Sequence, residues 1–169
     1  MLTRDDRIQI MLDEHEIRKI IFLYTRGVDR LDAELVSSVY HPTAMDNHGG
    51  FKGKGQDFGP YIAKMIAEHC TMSQHTLNQS LITVDGDKAH AETYFVAYHV
   101  RPDGDAEYMD RFGGRYIDKL ARRDDLWKIS DRVVVRDWST TDKIEGSYYD
   151  PDIFTSGKRS KEDLAYGTP

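Results

Sequence analysis

Apolar side chains in the N-terminal third recur at helical spacing. The positions follow i, i+3, i+4, i+7 and i+11: Ile17, Ile20, Ile21, Tyr24 and Val28. This period predicts an amphipathic helix, which Gly27 weakens near its end. A shorter helix should follow, with Asp32 as its N-cap and Leu35, Val36 and Val39 on its apolar face. The dipeptide His41-Pro42 should stop it, because proline restricts the residue before it.

A glycine-rich stretch at 49–55 predicts a loop, and a third helix follows it. The helical period is carried by Phe58, Tyr61, Ile62, Met65, Ile66 and His69. Pro60 is expected in the first turn of this helix, where a missing N–H is tolerated.

After His69 the pattern changes to that of strands. Four are predicted, at 74–84, 88–100, 107–121 and 126–138, joined by the turns DGD, PDGD and RDD. Three tight turns between long strands indicate a curved antiparallel meander. Helices followed by such strands predict an α+β fold, with a cone-shaped sheet packed against the N-terminal helices. Residues 139–169 form an extended tail that we expect on the surface, packed on a neighbouring subunit.

Composition narrows the class of protein. The chain has 169 residues, a net charge of −6 and scattered basic residues, which fits one domain over 1–169 and argues against nucleic-acid binding. No run approaches the roughly 20 apolar residues of a membrane span, and no signal-peptide pattern begins the chain. Cys70 is the single cysteine, which fits a reducing compartment. These features predict a cytoplasmic protein that contacts neither membrane nor nucleic acid.

Three motifs resemble those of SnoaL-like proteins in the nuclear-transport-factor-2-like superfamily: YTRGVDRLD at 24–32, YHPTAMD at 40–46, and WKI at 127–129 with DW at 137–138. The resemblance runs from about residue 13 to about residue 138. It implies an α+β barrel similar to scytalone dehydratase, the lindane dehydrochlorinase and bile-acid 7α-dehydratase. The fold alone does not specify one reaction.

The resemblance also implies site residues. Asp29 and His75 match a catalytic aspartate–histidine pair in which the histidine is the base. His99 falls at a second pocket histidine, and Tyr24 matches a pocket tyrosine. His48 stands where scytalone dehydratase has a water-binding tyrosine, and Tyr116, with Gly114, replaces polar residues of the third strand. We therefore expect Tyr24, His48, His99 and Tyr116 to bind substrate.

Each of these residues also has a structural interpretation. Asp29 fits a cap or turn between helices, and His75 fits a solvated residue at the start of a strand. His99 and Tyr24 fit an ordinary core, and His48 fits a glycine-flanked mobile loop. His69, Cys70 and His75 match no zinc spacing, so no metal is expected.

Two functions are consistent with this pattern. The first is a cofactor-independent lyase or isomerase, dehydratase-like, acting on a small hydrophobic cyclic substrate through the Asp29–His75 pair. The second is a non-catalytic ligand-binding or scaffold protein, such as the small partner subunit of a ring-hydroxylating oxygenase. A homo-oligomer, dimer or trimer, is implied by the resemblance in either case.

Overall fold

A computed structural model describes residues 2–146 and 150–167. The first helix, α1, spans Arg4–Asp29 and begins at a capping box in which Thr3 and Asp6 exchange side-chain-to-backbone hydrogen bonds of 2.8 and 3.1 Å. The predicted apolar face is confirmed: Ile17, Ile21, Tyr24 and Val28 are buried. This face fixes α1 against the concave side of the sheet.

The second helix, α2, spans Ala33–Ser38, and its N-cap is Asp32 as predicted, since the carboxylate accepts from the Leu35 N–H at 3.0 Å. The helix has ended before His41-Pro42, and that dipeptide lies in a strand that the sequence did not predict. This strand, β1, spans Tyr40–Asn47. Pro42 is tolerated there because the pairing is irregular between Tyr40 and Met45.

The third helix, α3, spans Gly55–His69, so it begins earlier than predicted and Pro60 lies in its second turn rather than its first. A proline at this position leaves the Gln56 carbonyl without its helical N–H partner. The Ser37 hydroxyl donates to that carbonyl at 2.6 Å and so joins α2 to α3. The two helices approach closely here, since a Cβ on Gly59 would lie 2.2 Å from the Ala33 carbonyl oxygen.

The sheet has six strands rather than four. The additional strands are β1 and β2, Lys52–Lys54, the latter within the predicted loop; the others are β3 (Met72–Asp85), β4 (Lys88–Asp103), β5 (Ala106–Arg123) and β6 (Leu126–Ile144). The order is β2-β1-β6-β5-β4-β3. The predicted antiparallel meander β3–β6 is confirmed, whereas β1 pairs with β6 in parallel.

The α+β class with helices against a curved sheet is confirmed, and the sheet is open, with β2 and β3 at its edges. The predicted turns have the backbone that tight hairpins require: Gly86, Gly104, Asp124 and Asp125 have φ of 57°, 61°, 52° and 60°. Within the described residues, no helix is both long and apolar enough to cross a membrane.

The C-terminal tail begins later than predicted, because residues up to Ile144 extend β6. Residues 150–167 contact the helices of this chain. The Arg159 guanidinium donates to the Ile66 and Cys70 carbonyls at the C-terminal end of α3. The Tyr166 hydroxyl donates to Asp32 at 3.0 Å. The tail therefore contacts the C-terminal end of α3 and the N-cap of α2.

Candidate active site

A cavity of about 530 Å³ lies between the helices and the concave face of the sheet. Aliphatic and aromatic groups dominate its wall, interrupted by three histidines and one arginine. The lining residues are Tyr24, Val28, His48, Gly49, Gly50, Phe51, Phe58, Tyr61, Ile62, Met65, Ile66, His75, Phe95, Ala97, His99, Phe112, Tyr116, Val134 and Arg136. Five of the six predicted site residues, all but Asp29, are thus on this wall. The volume suits a small ring compound.

Asp29 and His75 face each other at this cavity. Asp29 is the last residue of α1, and its Oδ1 lies 2.7 Å from His75 Nδ1. The same carboxylate accepts from the His75 backbone N–H at 2.8 Å and from the Ser73 hydroxyl at 3.0 Å. The Asp29 carboxylate thus contacts β3 and not the first turn of α2.

The position of β3 at the sheet edge explains these contacts. An edge strand pairs on one side only, which leaves N–H groups free on the other. Asp29 accepts one of them, from His75, and so ties the end of α1 to β3. The imidazole then lies alongside α1 with its second nitrogen towards the cavity.

The negative charge of Asp29 determines that the proton of the His75 imidazole is on Nδ1. Burial by itself would raise the pKa of Asp29, but the hydrogen bonds and charge of His75, with the Ser73 hydroxyl, outweigh burial and hold the pKa below its ordinary value. A carboxylate can only accept, so His75 Nδ1 is the donor, and in the neutral imidazole the lone pair is then on Nε2. Among the described residues, no partner contacts this Nε2 within hydrogen-bonding distance.

A second aspartate–histidine pair stands on the wall of the same cavity. His48 Nδ1 lies 2.6 Å from Asp46 Oδ1, and His48 Nε2 lies 3.1 Å from the Tyr24 hydroxyl. The other Asp46 oxygen accepts from the Tyr40 hydroxyl at 2.5 Å. The imidazole also stacks on Phe58, with ring centroids 4.1 Å apart. These contacts hold His48 in the cavity wall.

The titration of this cluster is dominated by burial. Burial lowers the pKa of His48, and the Asp46 carboxylate offsets this only in part. Burial also raises the pKa of Tyr24 and of Tyr40 well above the ordinary value. His48 is therefore a neutral imidazole at neutral pH, and both tyrosines keep their protons.

A buried ion pair closes the inner end of this region. Arg132 and Asp118 are fully buried, and the guanidinium donates to both carboxylate oxygens at 2.6 Å. The guanidinium carbon lies 4.1 Å from the centroid of Tyr24 and 4.4 Å from that of Tyr116. Tyr116 in turn stacks on Phe95, with centroids 4.2 Å apart. The pair thus supports two aromatic residues of the wall from behind.

His99 is held differently from the other two histidines of the wall. Its ring centroid lies 5.9 Å from that of His75, and its Nε2 is buried without a hydrogen-bond partner among the described residues. Burial first, and then the nearby His75, lowers the pKa of His99 to about 4. His99 is thus a neutral wall residue.

This burial predicts an acid-sensitive contribution to stability. The unfolded chain binds a proton at His99 near pH 6.5, whereas the folded chain does so only near pH 4. The contribution is therefore complete above pH 6.5 and is lost as the pH falls towards 4, by on the order of 3 kcal/mol. Urea unfolding of wild type and His99→Gln across this range checks it, since the variant should lose that much less. An equal decline in both proteins, or the same change in the exposed His90→Gln, contradicts the prediction.

Sequence reasoning missed Asp46, Ser73 and the buried Arg132–Asp118 pair as parts of the site. Asp46 was within reach of prediction, because residues two apart on a strand share a face and His48 follows it by two. Nothing local distinguishes Arg132 from a solvated strand arginine, since its partner lies on β5.

Comparisons with known proteins agree with this fold. The SnoaL-like domain family matches residues 9–133. The chain is similar to the hexachlorocyclohexane dehydrochlorinase LinA-type3 from Novosphingobium barchaimii LL02, at 16% identity and a TM-score of 0.72, covering 86% of this chain and 99% of that one. It is also similar to a candidate scytalone dehydratase from Novosphingobium aromaticivorans DSM 12444, at 17% identity and a TM-score of 0.67, covering 77% and 87%.

No curated protein matches the chain by sequence. Identities this low show a shared fold and leave the reaction to the chemistry of the site. The family match spans most of the chain, from within α1 to the middle of β6. The chain belongs to the SnoaL-like domain family.

Proposed function

We propose that this protein is a cofactor-independent lyase or isomerase, dehydratase-like, in which His75 is the general base and Asp29 its positioning partner. The observation that carries the proposal is the 2.7 Å contact between Asp29 Oδ1 and His75 Nδ1 beside a cavity of about 530 Å³. The contact leaves His75 Nε2 as the acceptor directed to bound substrate. The substrate class is a small hydrophobic cyclic molecule, in keeping with the apolar wall.

The first step of the reaction is proton abstraction by His75, whose Nε2 is the basic nitrogen when Nδ1 carries the proton. His75 Nε2 takes a proton from a carbon next to a carbonyl, and the carbon–hydrogen bonding pair becomes the new double bond as the neighbouring carbon–oxygen bond breaks. The imidazolium that forms is stabilised by the Asp29 carboxylate. General-base catalysis of this kind contributes a factor of about 10²–10⁴ in rate.

The leaving hydroxide needs a proton, and His75 is the group best able to supply it. His48 is neutral, and burial keeps the Tyr24 proton in place, so neither is a ready acid. The proton on His75 Nε2 passes to the departing oxygen, which leaves as water and returns His75 to its starting state. The Tyr24 oxygen, whose proton goes to His48 Nε2, accepts from a substrate hydroxyl, and Tyr116 and His99 shape the wall around the ring.

A non-catalytic binding or scaffold protein is the alternative. Such a protein needs a cavity, but it does not need an imidazole oriented with one nitrogen free towards that cavity. The paired Asp29 and His75, the free Nε2 and the open cavity therefore favour the enzyme. Self-association through the outer face of the sheet is part of the proposal, supported by the exposed apolar side chains Leu81, Tyr94 and Val133.

A panel of cyclic β-hydroxyketones tests the proposed function. Elimination produces a conjugated enone, which is followed by ultraviolet absorbance. We expect the wild type to convert at least one member and His75→Gln to do so at least about 100-fold more slowly, because the base is removed. His90→Gln is the matched control, since His90 is exposed on β4 away from the cavity. Equal turnover by wild type and His75→Gln, or binding of every ketone without turnover, contradicts the proposal.

A further inference from the structure

Arg136 is the one cavity-lining residue, within the described parts of the chain, that carries a permanent charge. It lies on β6 two residues after Val134 and four after Arg132, so all three side chains share the concave face of the strand. Arg132 is fully buried, Val134 is half-buried and Arg136 is exposed. This gradient places Arg136 at the rim of the cavity and Arg132 at its closed end.

The guanidinium of Arg136 has no carboxylate partner among residues 2–146 and 150–167, which sets it apart from its neighbours. The arginines of β4, β5 and β6 that pair with aspartates are Arg101, Arg111, Arg115, Arg122 and Arg132. The other unpaired one, Arg123, lies at the β5–β6 turn, away from the cavity. Arg136 instead lies over the ring of Phe112, another wall residue, at 4.4 Å from its centroid.

We infer that the cavity takes a ring compound bearing a single carboxylate, with the ring against the apolar wall and the carboxylate paired with Arg136 at the rim. The inference deepens the proposed function and rests on it, because it treats this cavity as the substrate site. A guanidinium offers two parallel N–H donors that match the two oxygens of a carboxylate. Stacking on Phe112 keeps the guanidinium plane at the rim.

One unpaired cation fits a monoanion better than a phosphate. Phosphates carry up to about two charges at neutral pH and are usually held by clusters of donors. The cavity wall holds no second permanent cation among the described residues, and the net charge of −6 repels polyanions. A carboxylate is therefore the group that the charge of the rim selects.

The strand order also fixes where the carboxylate lies relative to the reacting carbon. His75 is on β3 and Arg136 on β6, at opposite ends of the meander β3-β4-β5-β6. Three strand spacings amount to roughly 14 Å along the sheet, and its curvature brings the two side chains to opposite walls of one cavity. The carboxylate and the reacting carbon thus belong to opposite ends of the ring system.

Equilibrium binding of a matched pair of probes tests this inference without turnover. The probes are naphthalene-2-carboxylate and the neutral naphthalene-2-methanol, titrated calorimetrically into wild type, Arg136→Gln and Arg123→Gln. Arg123→Gln makes the same change in charge at an exposed turn residue. We expect the wild type to bind the carboxylate about 10-fold more tightly than the alcohol, as one charged hydrogen-bonded contact gives. We expect high salt to reduce this preference.

The preference should be lost in Arg136→Gln and kept in Arg123→Gln, with affinity for the alcohol unchanged in both. Equal affinities of the wild type for the two probes, an equal loss in both variants, or no binding of either probe would overturn the inference. These outcomes are separate from failure of the proposed function, because elimination from the neutral ketones is measured on its own. If neutral ketones are converted but the carboxylate is not preferred, the role of His75 as the base stands and only the carboxylate site at Arg136 is rejected.

Discussion

Asp29→Asn is expected to lower kcat/KM by about 10²–10⁴ although it changes one atom of the side chain. The backbone N–H of His75 can only donate, so the asparagine oxygen must keep the place of Oδ2, 2.8 Å from it. The amide NH₂ then takes the place of Oδ1, 2.7 Å from His75 Nδ1, and donates to it. The imidazole proton moves to Nε2, and the base loses the lone pair that faces the substrate.

Two measurements check this inversion. The first is kcat/KM with a ketone that the wild type converts, and the second is the ¹⁵N resonance pair of the His75 imidazole, which reports the tautomer without any substrate. Asp32→Asn is the matched control, since asparagine caps a helix as well as aspartate does and Asp32 lies outside the cavity wall. Unchanged kcat/KM in Asp29→Asn, or an unchanged tautomer, would show that the carboxylate does not set the state of the base.

Asp118→Asn is expected to lower the free energy of unfolding by about 3–5 kcal/mol, the cost of leaving a buried charge without its partner. Arg132 and Asp118 are directly opposite each other on β6 and β5, and both side chains are fully buried. Burial alone would lower the pKa of Arg132, but the Asp118 charge raises it well above the ordinary value, so the guanidinium stays charged. The aromatic rings of Tyr24 and Tyr116 offset part of this loss of stability through cation–π contacts with Arg132, but they do not replace the carboxylate.

Urea unfolding measures this effect, and the control is the neighbouring residue pair on the same two strands. Lys119 and Asp131 are also directly opposite, but they point to the outer face, 3.6 Å apart and exposed. Asp131→Asn should therefore cost less than about 1 kcal/mol. The double variant Asp118→Leu with Arg132→Met should be more stable than Asp118→Asn, because no charge remains buried. Similar losses in Asp118→Asn and Asp131→Asn would contradict this account of the pair.

The sequence predicts the parts of the fold whose pattern is local. Helical periods identify α1, α2 and α3, and alternation with tight turns identifies β3 to β6. β1 and β2 escape prediction because Pro42 reads as a helix stop and the glycines around Lys52 read as a loop. Their strand structure comes from pairing with β6 and with each other.

The candidate site also has residues that could be predicted from the sequence and residues that could not. Asp29 and His75 lie 46 positions apart, and no spacing rule connects them; the family resemblance does. Asp46 and His48 are two apart, yet their pairing matters only because α1 places Tyr24 against them. Arg132 and Asp118 are polar residues whose burial depends on facing each other across two strands, which no single segment reveals.

The Asp29 carboxylate has one further consequence. Because it accepts from both the imidazole and the main chain of His75, the free energy that keeps the sheet edge closed at this point is also the free energy that orients the base. Native proteins open locally, in fluctuations that leave the rest folded, where few contacts hold the backbone, and an edge strand is paired on one side only. Each such fluctuation at β3 would separate His75 from Asp29 and so remove the orientation of the base. On warming, the enzymatic activity should therefore be lost at a lower temperature than the one at which the helices and the inner strands unfold.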